Sequence, residues 1–163
     1  KELFTAGERF ITCNVDILTD LDINKLLAFH EKHKPLISFA VTNRKTSRYL
    51  LFDESNRLCG WRNTKTGEER TPGKSSKDEK SFAPKGEERK FPLIEKAYSC
   101  VVVFEYDIFN LMEEKKFTGK FSLIDVYLAL ASQHLIMGYD HSGDRLVDVG
   151  KPESLTEAEA LFP

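Results

Sequence analysis

Apolar residues enter this chain in short blocks between polar stretches, and the spacing inside each block predicts an element. Residues 36–42 read Leu-Ile-Ser-Phe-Ala-Val-Thr, a nearly unbroken apolar run of strand length that marks a strand covered on both faces. Residues 97–104, Ala-Tyr-Ser-Cys-Val-Val-Val-Phe, are the strongest strand signal, rich in β-branched and aromatic side chains. A shorter buried strand is predicted over 10–14. Residues 48–53 and 57–61 predict two strands joined by a hairpin turn at Glu54-Ser55-Asn56. From 23 to 33, Leu26, Leu27 and His30 recur at helical spacing, Asp22 stands where a cap belongs, and Pro35 ends the segment. Residues 16–22 read as a turn. Further helices are predicted over 106–114 and, capped by Ser122, over 123–133. Strands at 135–139 and 145–147 flank a turn at Ser142-Gly143-Asp144. Pro152 opens a last helix at its favoured first-turn position, with Glu153 near the helix N-terminus. Strands alternating with helices predict an α/β sheet covered by helices.

One stretch breaks the pattern. Residues 62–90 contain nine basic and six acidic residues and no Val, Ile or Leu. Gly67, Pro72, Gly73, Pro84 and Gly86 punctuate them. A polar loop or flap over about 64–90 is expected to project from the body, because it buries too little apolar surface to offset its ordering. With 163 residues in all, too little chain remains on either side for two cores, so a single domain is expected over 1–163.

The charge balance narrows the partners. The chain has 24 basic and 26 acidic residues, a net charge of −2, which gives no electrostatic case for nucleic acid or for an anionic membrane. No apolar run is long enough to span a bilayer, and residues 1–10 hold no apolar signal core. Cys13, Cys59 and Cys100 form no Cys-x-x-Cys pair. Their odd number and wide spacing argue against a disulfide framework or a zinc ribbon and point to buried, reduced thiols in the cytoplasm. The four histidines show no metal-ligand spacing. The chain begins with Lys, so it is read as a piece of a longer protein.

Two carboxylates stand out by position. Asp16 lies just past the first strand, in Asn14-Val15-Asp16. Asp148 lies at the end of a late strand, in Asp148-Val149-Gly150-Lys151-Pro152. Ligands of open α/β sheets bind outside the carboxyl ends of strands. Two aspartates delivered there from distant parts of the chain can share one Mg²⁺, which takes few carboxylates and completes its shell with water and phosphate oxygens. That suits phosphoryl or nucleotidyl transfer. For either aspartate alone, a turn or cap role is the commoner use.

Phe10-Ile-Thr-Cys-Asn-Val-Asp16-Ile-Leu-Thr-Asp-Leu-Asp22 resembles the hydrophobic strand and N-x-D segment of the sugar-1-phosphate nucleotidyltransferases, also called nucleotide-sugar pyrophosphorylases. Arg57-Leu-Cys-Gly-Trp61 resembles their "g-r-v-x-g-f/w" strand, and Tyr98-Ser-Cys-Val-Val-Val-Phe104 their "f-s-G-i-h-v" strand. Phe121-Ser-Leu-Ile-Asp125-Val-Tyr-Leu resembles the segment that follows. Asp148-Val-Gly-Lys-Pro-Glu-Ser-Leu is similar to the closing "D-v-G-t-P-e-x-l" motif. The five matches fall in the family's order over nearly the whole chain.

The resemblance implies a three-layer, Rossmann-like mixed sheet of the nucleotide-diphospho-sugar transferase type, with its N-terminal part missing. It implies that Asp16 and Asp148 hold Mg²⁺ against the phosphates of a nucleoside triphosphate and a sugar 1-phosphate. The sugar-phosphate oxygen then attacks the α-phosphorus in line and pyrophosphate leaves. Asn14, Arg62, Asp125 and Lys151 are the expected substrate-binding residues. Arg62 stands near the family's E-K-P lysine, Asp125 could face the sugar, and Lys151 replaces the usual Thr. Uridylyl and guanylyl transfer are both open. Cys100 stands where a glycine is usual and would crowd a sugar lying on that backbone. The Gly-rich G-x-G-T-R phosphate loop does not occur, so the chain alone is expected to be inactive. Its first strand would then expose an apolar edge able to pair with a second copy. Two alternatives are a non-catalytic sugar-phosphate or nucleotide-sugar binding relative that lost the phosphate loop, and a metal-dependent glycosyltransferase, which would not need the closing segment.

Overall fold

The computed structural model describes residue 1, residues 3–73 and residues 92–163. In chain order the elements are β1 (Phe10–Cys13), β2 (Ile17–Thr19), α1 (Ile23–His33), β3 (Ile37–Thr42), β4 (Arg48–Phe52), β5 (Leu58–Asn63), β6 (Glu68–Arg70), β7 (Ile94–Phe104), α2 (Ile108–Glu114), α3 (Leu123–Ala131), β8 (Ile136–Asp140), β9 (Leu146–Asp148) and α4 (Leu155–Leu161). A 3-10 turn, Pro152–Ser154, leads into α4.

The main sheet runs β6-β5-β4-β7-β3-β8, and β1 also pairs with β7. β3 and β8 are parallel, with Ile37 opposite Ile136; the other pairs are antiparallel. β2 and β9 form a separate two-stranded sheet. The expected α/β class with a mixed sheet is what the chain adopts.

Alternation along the central strands divides the core between two faces. Val101 and Val103 of β7 pack with Leu26 of α1, Leu21 and Ala40. Val102 and Phe104 face the other way, with Phe39, Val41, Ile108 of α2, and Val126, Tyr127 and Leu130 of α3. Helices therefore cover both faces, the three layers the resemblance implied. All six residues of β3 are buried, as its apolar run requires. The Phe39 and Tyr127 rings sit 4.7 Å apart between centroids, a pair contributing about 0.5–1.5 kcal/mol beyond its buried area.

The helix starts behave as the sequence indicates. Asp22 accepts from the backbone N–H groups of Asn24 and Lys25, and Ser122 accepts from that of Ile124. α1 ends at Lys34 in the left-handed conformation, φ 49°.

Four expectations need correction. The strand at the start of the chain forms but is not buried: Phe10 is half-buried, while Ile11, Thr12 and Cys13 are exposed, because β1 lies at an edge of the sheet with β7 as its one strand partner among the described residues. The predicted turn over 16–22 contains β2, held by pairing with β9, a long-range partner that local pattern does not reveal. The polar segment after Arg62 begins as a hairpin. Gly67, at φ 72°, turns the chain, and β6 pairs with β5 through Trp61 opposite Arg70. Arg70 stacks 4.6 Å over the Trp61 ring, so packing on an aromatic replaces the missing aliphatic residues. The remainder of the expected flap, from residue 74, lies outside the described residues. The cysteines are free but not buried: Cys13 is exposed, and Cys59 and Cys100 are half-buried.

Two histidines are buried and hydrogen-bonded, and His30 ties α1 to the sheet. Glu105 can only accept, so His30 Nε2–H donates to it at 3.0 Å, and His30 Nδ1 accepts from the Ser38 hydroxyl at 2.8 Å. His141 Nε2 meets the Ser99 hydroxyl at 2.8 Å. Burial holds both rings below the ordinary histidine range, against the pull of Glu105 on His30 and of Asp144 on His141. The unfolded chain takes up a proton on each near pH 6.5, while the folded chain resists until lower pH. Their contribution to stability is therefore complete above about pH 6.5 and is lost as pH falls below it. Thermal or denaturant unfolding between pH 7.5 and 5 should show stability dropping by up to about 1.4 kcal/mol per pH unit per histidine. His30→Gln and His141→Gln should each flatten that slope; an unchanged slope would rule the assignment out.

Candidate active site

The site is laid out by the way β7 changes partners. β3 covers one edge of β7 from Ala97 to Phe104. On the other edge β4 pairs with residues 94–97 and β1 with residues 101–104. Tyr98, Ser99 and Cys100 thus have no strand partner on that edge. Two residues outside the strands take their carbonyls. Arg44 Nη2 donates to Tyr98 O at 3.0 Å, and the Asn14 backbone N–H donates to Cys100 O at 3.2 Å.

The same stretch is irregular toward β3. Phe39 faces Val102 but Val41 faces Tyr98, so Ala40 stands against three residues of β7. The extra length is absorbed at Cys100, whose φ is 59°. This is the left-handed region, costing a non-glycine residue about 1–2 kcal/mol. The glycine usual at this position in the resembled family suits that backbone; the cysteine here is strained.

β1 and β3 both run antiparallel to β7, and β8 runs parallel to β3. The carboxyl ends of all three therefore share one rim. From β1 the chain passes through Asn14 to Asp16, from β3 to Asn43 and Arg44, and from β8 to His141. Such a rim is where ligands of α/β sheets bind.

Asp16 and Asp148 meet on this rim, although 132 positions separate them. β2 pairs with β9 so that Ile17 stands opposite Asp148, and Val149 N–H donates to Asp16 O at 2.8 Å. A Cβ added at Gly150 would lie 3.0 Å from Asp16 Oδ2 and 3.1 Å from Asp148 Oδ1. Both carboxylates thus flank one small space that the bare glycine keeps open. Gly150 N–H donates to Asp148 Oδ1 at 3.0 Å, orienting that carboxylate. Asp16 is half-buried and Asp148 exposed. Among the described residues no group of three or more His, Cys, Asp or Glu gathers as a metal cage. The pair fits a cation that takes two carboxylates and completes its shell with water and phosphate oxygens, as Mg²⁺ does.

The other expected residues are dispersed. Asn14 is exposed and contributes its backbone amide. Lys151 is exposed at the start of the 3-10 turn, close along the chain to Asp148. Arg62 is engaged by Glu69 at 2.8 Å and by Glu95. Asp125, in the first turn of α3, holds Arg70 at 2.7 Å. Trp61 carries Arg70 on the α3 face, so its strand neighbour Arg62 points to the opposite face. Among the described residues no hydrogen bond or ion pair links Arg62 or Asp125 to Asp16 or Asp148.

Sequence reasoning missed Arg44. The rule that singled out Asp16 would have found it, since Arg44 follows the carboxyl end of the most buried strand. The Cys100 thiol registers the whole cluster. Burial pushes it up, the Arg44 charge opposes this, and Asp16 and Asp148 add to it.

Other groupings carry less chemistry. Asp144, His141 and Ser99 line up as an acid-base-hydroxyl series, as do Glu105, His30 and Ser38. Both serines are fully buried, so neither can attack a substrate. A cleft of about 620 Å³ between β1 and α1, lined by Phe10, Ile11, Leu27 and Ala28 with Arg9 and Glu31, contains neither aspartate. The chemistry of the donor set places the candidate site at the rim rather than in that cleft.

No family model matches the sequence, and no curated protein matches it. Solved structures do match by fold. One is a Bacillus anthracis protein assigned as a glucose-1-phosphate thymidylyltransferase, in complex with a sucrose: TM-score 0.68, 13% identity, covering 98% of this chain and 56% of that one. Another is HddC from Yersinia pseudotuberculosis: TM-score 0.63, 15% identity, covering 99% of this chain and 58% of that one. A third is the inositol-1-phosphate CTP transferase from T. maritima: TM-score 0.62, 15% identity, covering 98% of this chain and 57% of that one. The chain thus spans little more than half the length of these structures and shares their fold.

Two outcomes test the site. Cys100→Gly should raise thermal stability by about 1 kcal/mol by relieving the left-handed cysteine; a loss would show that the thiol's packing outweighs the strain. Gly150→Ala should leave the fold intact yet weaken Mn²⁺ binding, read by electron paramagnetic resonance, about tenfold or more, because the new methyl group crowds both carboxylates. Unchanged Mn²⁺ affinity would remove Gly150 from the site.

Proposed function

We propose that the chain is part of an enzyme that transfers a nucleotidyl group from a nucleoside triphosphate to a sugar 1-phosphate, giving a nucleotide sugar and pyrophosphate. The convergence of Asp16 and Asp148 on Gly150, at the carboxyl-end rim, carries this reading. The shared fold with proteins named as sugar- or inositol-phosphate nucleotidyltransferases supports it.

The chemistry asks for little beyond placement. An oxygen of the sugar phosphate forms a bond to the α-phosphorus, the α–β anhydride bond breaks, and pyrophosphate carries away the electron pair. Reactant and leaving group are both anions, so the protein must orient them in line and screen their repulsion. Asp16 and Asp148 would hold Mg²⁺, which when bound neutralises charge on the phosphates. The β2–β9 pairing fixes the two carboxylates relative to each other, and the Gly150 N–H holds Asp148 in orientation. No covalent nucleophile is required. Lys151, beside Asp148, is an exposed cation available to an outlying phosphate oxygen.

A second reading is a binding relative without turnover. The Cys100 side chain favours it, because a thiol occupies backbone that a glycine would leave open to a sugar.

Pyrophosphate release decides between them. The 163-residue chain alone should release none with Mg²⁺, a nucleoside triphosphate and a hexose 1-phosphate, while a version extended upstream in its native reading frame should turn over. Asp16→Ala and Asp148→Ala should each lower that turnover by about a thousandfold, several kcal/mol of lost charge stabilisation. Ligand binding without turnover in the extended version would establish the binding relative, and full activity of Asp16→Ala would end the metal proposal.

A further inference from the structure

We infer that Arg44 binds a phosphoryl group at the Asp16–Asp148 site; the inference rests on the nucleotidyl-transfer reading and names its anion-binding side chain. Arg44 stands on the shared rim, two residues past the end of β3. It is half-buried, and its Nη2 is anchored on Tyr98 O at 3.0 Å. That carbonyl and the one held by Asn14, at Cys100, border the same unpaired stretch of β7. Arg44 and the turn leading to Asp16 are thus fixed on neighbouring points of one strand.

Several other basic residues of the sheet are already committed to ion pairs. Arg62, Arg70 and Arg145 each hold carboxylates, and Lys96 is paired with Asp140 and Asn43. Arg44 holds no carboxylate among the described residues. Its Nε–H is buried without a hydrogen-bond partner. A guanidinium has five N–H donors in a fixed fork; one is anchored on Tyr98. Nε–H is closed to solvent, so the Nη1 group and the second Nη2 N–H are what remain for the oxygens of a phosphate, for which a planar pair of donors is the strong arrangement. Charge points the same way. Two aspartates repel a phosphate dianion, a divalent cation between them only cancels their charge, and Arg44 adds the net positive charge that an anionic substrate needs.

The anion could come from the sugar phosphate or from the triphosphate, and the test separates them. The full chain, as wild type, Arg44→Gln and Arg44→Lys, is titrated calorimetrically with a hexose 1-phosphate and with a nucleoside triphosphate, each with Mg²⁺. Circular dichroism confirms that each variant is folded. Arg44→Gln should weaken at least one of the two ligands by about ten- to a hundredfold, and Arg44→Lys should recover part of the loss, since it keeps the charge without the fork. The ligand that loses affinity identifies the phosphate. The ¹⁵N resonance of Arg44 Nε should shift on adding that ligand, which an anchoring role alone would not produce. Equal affinity of wild type and Arg44→Gln for both ligands would overturn the inference, as would failure of the folded wild type to bind either. Mn²⁺ binding keeps the two proposals apart. Arg44-dependent phosphate binding without an Mn²⁺ signal would defeat the metal reading alone. An Asp16-dependent Mn²⁺ signal with unchanged phosphate affinity in Arg44→Gln would defeat the Arg44 inference alone.

Discussion

The rim is organised by one requirement of the backbone: the groups of β7 must be paired where its strand partner changes. On one edge β4 ends its pairing at Ala97 and β1 begins at Val101. A buried carbonyl left unpaired in such a gap costs about 1–3 kcal/mol. Arg44 and Asn14 satisfy those of Tyr98 and Cys100, and in doing so they acquire fixed positions. Asn14 then starts the tight turn that closes with Ile17 N–H on Asn14 O at 3.2 Å. That turn delivers Asp16 and launches β2, and β2 captures β9 and with it Asp148. The two aspartates are delivered by this chain of hydrogen bonds, and the Gly150 N–H, donating to Asp148 Oδ1, then orients the second carboxylate.

The electrostatics follow from where the ion pairs fall. Lys96 is almost wholly covered, at 11% side-chain exposure, yet it lies against Asp140 and Asn43. Burial alone would raise Asp140, but Lys96 and Ser142 hold it below the usual carboxylate range. This couple cancels its own charge and, among the described residues, leaves no free cation at the end of β8. Arg62 and its two glutamates form a similar closed group at the far side of the sheet. The charges at the rim that hold no ion pair among the described residues include Asp16, Asp148, Arg44 and the exposed Lys151. A ligand that joins a divalent cation to a phosphate oxygen completes that set.

Much of the fold could be read from local pattern. α1 and its Asp22 cap, β3 with its unbroken burial, and the hairpin at Glu54-Ser55-Asn56 follow from apolar spacing and turn chemistry, which are local causes. β2 and β6 could not be read, because each is three residues long and exists through its partner: β2 through β9, and β6 through the Trp61–Arg70 stack. The pairing of Asp16 with Asp148 was legible as chemistry, from two aspartates at strand ends, but its geometry depends on the β2–β9 register. The place of Arg44 just past β3 was legible by the same strand-end rule, but its anchoring on Tyr98 was not, because that depends on the unpaired stretch of β7, a property of three strands together. The exposure of Cys13 and the half-burial of Cys100 likewise depend on where β1 stops, which no neighbouring residue indicates.

The described residues also set a limit on what this chain can do for a triphosphate. Several negative charges close together call for a cradle of backbone N–H groups as well as a cation. Gly150 is bounded by two carboxylates and leaves no room for an anion to lie against its backbone. Gly60 is enclosed by the Arg70 carbonyl and Leu51, where an added Cβ would come within 2.8 and 3.2 Å. Neither opens a run of free amides, and Gly143, in the turn after β8, stands open but as a single glycine. On the proposed reading, the chain supplies the metal carboxylates, one anchored guanidinium and the surface beneath the acceptor. The amides that hold the triphosphate would have to come from another segment. Both reactants would meet at the open rim of β1, and the rate would then depend on how firmly that segment is held against it.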